Sequence, residues 1–77
     1  MPRITPVSWK VLECIFKKAG FVFERQIGSH RSYSKPNISR PLIIPKYKEI
    51  DSFIINRLLR TAKMDRETYF KYLKDCK

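Results

Sequence analysis

The 77-residue sequence has little of several things. It contains two glycines, one histidine, one tryptophan and two cysteines, and only seven carboxylate side chains against 17 Lys and Arg. Two glycines cannot build a glycine-rich phosphate loop. Cys14 and Cys76 sit in no CxxC pair and have no metal-ligand spacing to His30, so a four-ligand zinc site is excluded. The economical expectation for them is two unpaired thiols in a reducing cytoplasm. No Asp/Glu pair suggests a two-metal nuclease, and no Ser-His-Asp set is evident among Ser29, Ser32 and Ser34. Long apolar runs are missing too. Leu42-Ile43-Ile44 and Phe53-Ile54-Ile55 are three residues each, too short for a membrane span or an export segment. The length admits one small domain, expected over residues 1–77, without a large enclosed cofactor pocket.

What the chain has is positive charge, a formal +10 at pH 7. Residues 1–48 hold ten Lys/Arg and two Glu, a net +8, whereas residues 49–77 hold seven Lys/Arg and five Asp/Glu, a net +2. From Arg25 to Lys48 there are six basic residues and no acidic one. A solvated surface does not need so long a stretch without a carboxylate, so a polyanionic partner is expected.

The hydrophobic pattern places elements around that stretch. Thr5-Pro6 reads as a cap and first helical position, and Leu12, Ile15, Phe16 and Ala19 recur at helical spacing up to the stop at Gly20. Glu13 and Lys17 form an i,i+4 pair on the other side. Trp9 fits this stripe poorly and is a candidate for the core edge or for stacking on a partner. Strands are expected over Phe21–Gln26, Ser29–Lys35 and Arg40–Pro45, joined at Ile27-Gly28 and Pro36-Asn37. Pro41 and Pro45 confine the third to an edge or limit its length. Lys46–Ile50 is a basic linker. Asp51 or Ser52 caps a helix with a broad apolar face, and Asp65 caps a last short one, whose Tyr69, Phe70 and Tyr72 suit a core or a protein interface. The order is α-β-β-β-α with a short extra C-terminal helix. The fold class is therefore α+β, a three-stranded antiparallel sheet with helices on one face.

His30 stands in the middle of the acid-free stretch. Imidazole exchanges protons near neutral pH, and RNA carries its own nucleophile in the 2′-hydroxyl. A proton-transfer group beside that hydroxyl, with cations around the phosphorus, is the minimum for cleavage without metal, and His30 with Arg25, Arg31 and Lys35 meets it in composition. A surface histidine in a basic strand is the competing reading. Tyr33 and Tyr47 suit either base stacking or packing.

Ala19-Gly20-Phe21, Arg25-Gln26-Ile27-Gly28-Ser29-His30, Tyr33, Ile43-Ile44-Pro45 and Lys48-Glu49-Ile50 follow in an order that resembles the HicA family of toxins. Asn56 to Ala62 and Met64 to Glu67 are similar to that family's second helix and C-terminal extension. The resemblance covers about residues 8 to 73. It implies a double-stranded-RNA-binding-like fold and an mRNA interferase that halts translation in the cytoplasm. The resemblance makes His30 the catalytic residue; from the basic setting around it, RNA contacts are expected at Arg25, Gln26, Gly28, Ser29, Arg31, Lys35, Lys46 and Lys48, with Arg25, Arg31 and Lys35 holding phosphate. The partners implied are mRNA and a HicB-type antitoxin, with no membrane, metal or small-molecule cofactor. The chain departs from the family pattern at Tyr47, where a second histidine is frequent, and at Arg31, Phe53 and Lys63. The alternatives are a non-catalytic RNA-binding module of the same fold and, from another class, a membrane-surface or scaffold protein that only uses its charge; the acid-free segment contains little of the amphipathic helix the latter needs.

Overall fold

A computed structural model describes residues 3–77; the first two positions of the expected 1–77 domain lie outside them. The elements are α1 (Trp9–Lys18), β1 (Val22–Ile27), β2 (His30–Lys35), β3 (Ile38–Pro45), α2 (Ser52–Ala62) and α3 (Arg66–Cys76). The strands form one antiparallel sheet in the order β1-β2-β3, so the proline-bearing β3 is an edge strand as expected.

Helix α1 starts later than the Thr5-Pro6 signal suggested. Ser8 is its N-cap and accepts a hydrogen bond from the Val11 N–H, while Val7 is drawn into a bridge with Ile50. That bridge keeps Val7 out of the helix, and a local cap signal yields to it. At the other end Gly20, at φ 102°, closes the helix: its N–H donates to the Lys17 carbonyl and the Phe21 N–H to the Phe16 carbonyl. Helix α2 closes by the same pattern with Lys63 in the left-handed position, at φ 55°. Asp51 and Asp65 cap α2 and α3, accepting from the Ile54 and Thr68 N–H groups.

Alternation sorts the sheet into two faces. Tyr33, Leu42 and Ile44 are fully buried beneath Leu12, Ile15 and Phe16 of α1 and Ile55 of α2. Their strand neighbours Ser32 and Ile43 pair with each other on the opposite, open face. The third strand begins at Ile38, two residues before the expected Arg40, because Ile38 pairs with Lys35 across the Pro36-Asn37 turn. Strand β1 begins one residue late and runs through Ile27, leaving Gly28-Ser29 as the turn, with Gly28 at φ 59°.

The cysteines correct the reading of unpaired thiols. Cys14 of α1 and Cys76 at the end of α3 form a disulfide, with Cα atoms 5.7 Å apart at a sequence separation of 62. Spacing along a chain says nothing of proximity when helix packing brings two ends together. Tyr69 of α3 is buried in the same core.

Candidate nucleic-acid interface

The open face carries His30. It begins β2, is exposed, and pairs with Ile27 on one side and Pro45 on the other. The adjoining cross-strand row is Arg25, Ser32 and Ile43. Where this face meets α2, a groove of about 480 Å³ opens, lined by His30, Arg40, Ile43, Tyr47, Arg57 and Thr61 among others. A smaller hollow of about 290 Å³, which shares His30, Pro41 and Ile43 with the groove, reaches Arg25 and Ser32. No carboxylate lines either one. Among the described residues, Arg25, Arg40 and Arg57 have no carboxylate partner. The groove thus presents one imidazole, uncompensated guanidinium groups and an apolar floor of Pro41, Ile43 and Pro45.

The predicted contact residues divide between the faces. Arg25 shares the face of His30. Gly28 and Ser29 form the turn that leads into it, and the Ser29 carbonyl accepts from the Lys46 N–H at 2.6 Å, fastening the end of β3 to that turn. Arg31 and Gln26 pair with each other in the register and lie on the helix-covered side with Ile44. Lys35 is at the far end of β2, its stem against Gly20 and its Nζ 5.8 Å from the Phe21 ring centre. Lys46 reaches back to within 5.5 Å of the Trp9 ring centre. Lys48 is exposed in the following loop. The structure therefore brings Arg25 together with His30 and takes Arg31, Lys35 and Lys46 elsewhere.

Arg31 is held within the protein. Its guanidinium donates to Glu13 at 2.9 Å, to Gln26 at 2.8 Å and to the Tyr33 hydroxyl at 3.0 Å. It lies 4.2 Å from the Phe23 ring centre and 5.0 Å from that of Trp9. The Tyr33 hydroxyl donates to Glu13 as well. Burial alone would raise the Glu13 carboxyl, but hydrogen bonds from Tyr33 and Arg31 and the charges of Lys17 and Arg31 together hold it below the ordinary carboxylate range. Burial, helped by the bond to Glu13, pushes the Tyr33 phenol up to about 12. Trp9 is accordingly part of the core edge.

Sequence reasoning did not assign Arg40 and Arg57 to the site. A signal existed in α2: Ile54, Arg57, Leu58 and Thr61 follow i, i+3, i+4, i+7 spacing and all face the groove. Simple alternation groups Arg40 with the buried Leu42 and Ile44, but the register shift between the Tyr33–Leu42 and Lys35–Ile38 pairs falls across residues 39–41, and Arg40 lines the groove. Among the described residues, no group of three or more His, Cys, Asp or Glu is placed to hold a metal ion, and no helix is long and apolar enough to cross a membrane.

A family model described as the HicA toxin of bacterial toxin-antitoxin matches residues 9–64. The chain belongs to the HicA toxin family. The matched span takes in α1, the whole sheet, α2 and the left-handed Lys63, so every residue named around His30 lies inside the HicA portion. Helix α3, stapled by the disulfide to α1, lies beyond it. No curated protein matches the chain.

Proposed function

We propose that this HicA-family toxin is an endoribonuclease, an mRNA interferase acting in the cytoplasm, with His30 as its catalytic residue. The observation that carries the reading is the exposed imidazole in a carboxylate-free groove beside Arg40 and Arg57. His30 takes the proton of a ribose 2′-hydroxyl as that oxygen attacks the adjacent phosphorus. The phosphorus bond to the 5′-oxygen breaks, water protonates the departing oxygen, and the products end in a 2′,3′-cyclic phosphate and a 5′-hydroxyl. Arg40 and Arg57 bring positive charge to the phosphoryl oxygens, where charge accumulates in the transition state. Bases rest on Tyr47 and the apolar floor. The partner expected from the family, a HicB-type antitoxin, neutralises the toxin by covering this groove, and acidic residues on its contacting surface complement the charge.

Expression of wild type and His30→Ala, with end analysis of RNA cut by the purified proteins, tests the reading. Wild type is expected to arrest growth and yield cyclic phosphate ends. His30→Ala is expected to cut about 10² to 10⁴ times more slowly with an unchanged fold, the range of a positioned proton-transfer group. Equal cleavage by the two proteins would falsify the assignment of His30. Binding by both with no cleavage by either would leave the RNA-binding module.

A further inference from the structure

The groove beside His30 does not end at Arg57. Arg40 and Thr61 also line a second hollow of about 320 Å³, together with Asn37, Ser39, Arg60 and Lys63. The two hollows share Arg40 and Thr61 in their linings and are together called the channel along β3 and α2. The second is also free of carboxylates, and among the described residues neither Arg60 nor Lys63 has a carboxylate partner. Lys63 lies six positions after Arg57, about 9 Å at the rise of a helix, which exceeds the reach of a single phosphate group.

Lys63 supplies an independent observation. It is the one non-glycine at positive φ among the described residues. A side chain in that conformation costs about 1 kcal/mol relative to glycine. The backbone bonds that close α2, from the Lys63 and Met64 N–H groups to the Arg60 and Leu59 carbonyls, need no side chain at all. A cation in a left-handed conformation thus lines the second hollow, in a place where glycine closes the helix at lower energy.

We propose that Arg40, Arg60 and Lys63 form a second phosphate subsite for single-stranded RNA, one that holds linkages away from the scissile one. The proposal rests on the reading of the His30 groove as an RNA site. A single strand suits the channel because cations line its wall while Pro41, Ile43 and Tyr47 offer apolar surface to unpaired bases. Arg40 lines both hollows, so a strand in the channel meets the two sites in sequence.

The test measures binding of uncleaved oligoribonucleotides in the His30→Ala background, with and without Arg60→Ala and Lys63→Gly. The probes are a trinucleotide and a dodecanucleotide, titrated between 50 and 200 mM salt. Each phosphate contact contributes about 0.7 to the log–log salt slope for a single strand. Loss of two contacts is expected to lower the slope for the dodecanucleotide by about 1.4, which makes its affinity about sevenfold less sensitive to salt over that range. The preference for the longer probe is expected to fall as well. Lys63→Gly should raise the thermal midpoint, so weaker binding is not the result of unfolding. An unchanged slope and unchanged length preference overturn the subsite, whatever acidic protein the same cations bind. Cleavage by the wild-type protein is scored separately: wild type that cuts RNA while the substitutions leave the slope intact retains the nuclease and loses the subsite. A reduced slope with no cleavage does the reverse.

Discussion

At the scale of single residues, the Glu13–Arg31–Tyr33 cluster concentrates the polar energetics. Three side chains from α1 and β2 share bonds at the margin of the core, where water competes weakly. Tyr33→Phe removes two hydrogen bonds to charged partners and is expected to cost about 1.5 to 3 kcal/mol in urea unfolding. The two titrations act at opposite ends of the pH scale. The Glu13 value is depressed in the folded protein. Its contribution is therefore full above about pH 4.3, the ordinary Glu value, and is lost as the pH falls through the lower folded value. Tyr33 is raised to about 12. Its contribution is full below about pH 10, the ordinary Tyr value, and is lost as the pH climbs through the folded value. Stability measured against pH should show both flanks, and Tyr33→Phe should flatten the alkaline one. Tyr69 is the converse case. Its hydroxyl is buried with no hydrogen-bond partner among the described residues. Tyr69→Phe removes an unmet polar group and should stabilise the fold by about 1 kcal/mol, read from the denaturant midpoint.

At the scale of elements, α3 is held by a covalent tie as well as by packing. Tyr69 enters the core and Lys18 approaches Asp75 at 3.9 Å, a surface pair of little weight. The Cys14–Cys76 disulfide closes almost the entire chain into one loop. Chain-entropy reasoning puts such a constraint at about 4 kcal/mol, with observed effects commonly about 2 to 4. Cys14→Ser with Cys76→Ser, or reduction by a thiol, is expected to lower stability by that amount. The His30 groove is built from the sheet, α2 and Tyr47 of the loop between them, with no residue of α3 in its lining. RNA binding by the reduced protein should persist under conditions where it remains folded. A calorimetric midpoint and a binding titration with and without reductant check both statements.

At the scale of the whole molecule, the charge is unevenly used. Arg31 is enclosed by carboxylate, amide and aromatic groups, whereas Arg25, Arg40 and Arg57 stand without carboxylates around the open face. Association with RNA should accordingly weaken steeply with salt, and the slope should fall with substitutions along the β3–α2 channel more than with Arg31→Lys. The order of elements, the caps at Asp51 and Asp65 and the stop at Gly20 were legible in the sequence because each depends on residues close together along the chain. His30 was conspicuous in the sequence, since no other imidazole exists, and it lies within the span that matches the HicA family.

Local chemistry in the sequence determined the strands, the helices and the excess of positive charge. Tertiary structure alone decided which cations stand beside the imidazole. Alternation along β2 sends Arg31 to the helix side, and packing of α2 against β3 brings Arg57 across from a position 27 residues later in the chain than His30. The same packing of remote segments joined Cys14 to Cys76. Neither outcome can be encoded in spacing, because proximity in the folded chain arises from burial of apolar faces that lie far apart in sequence.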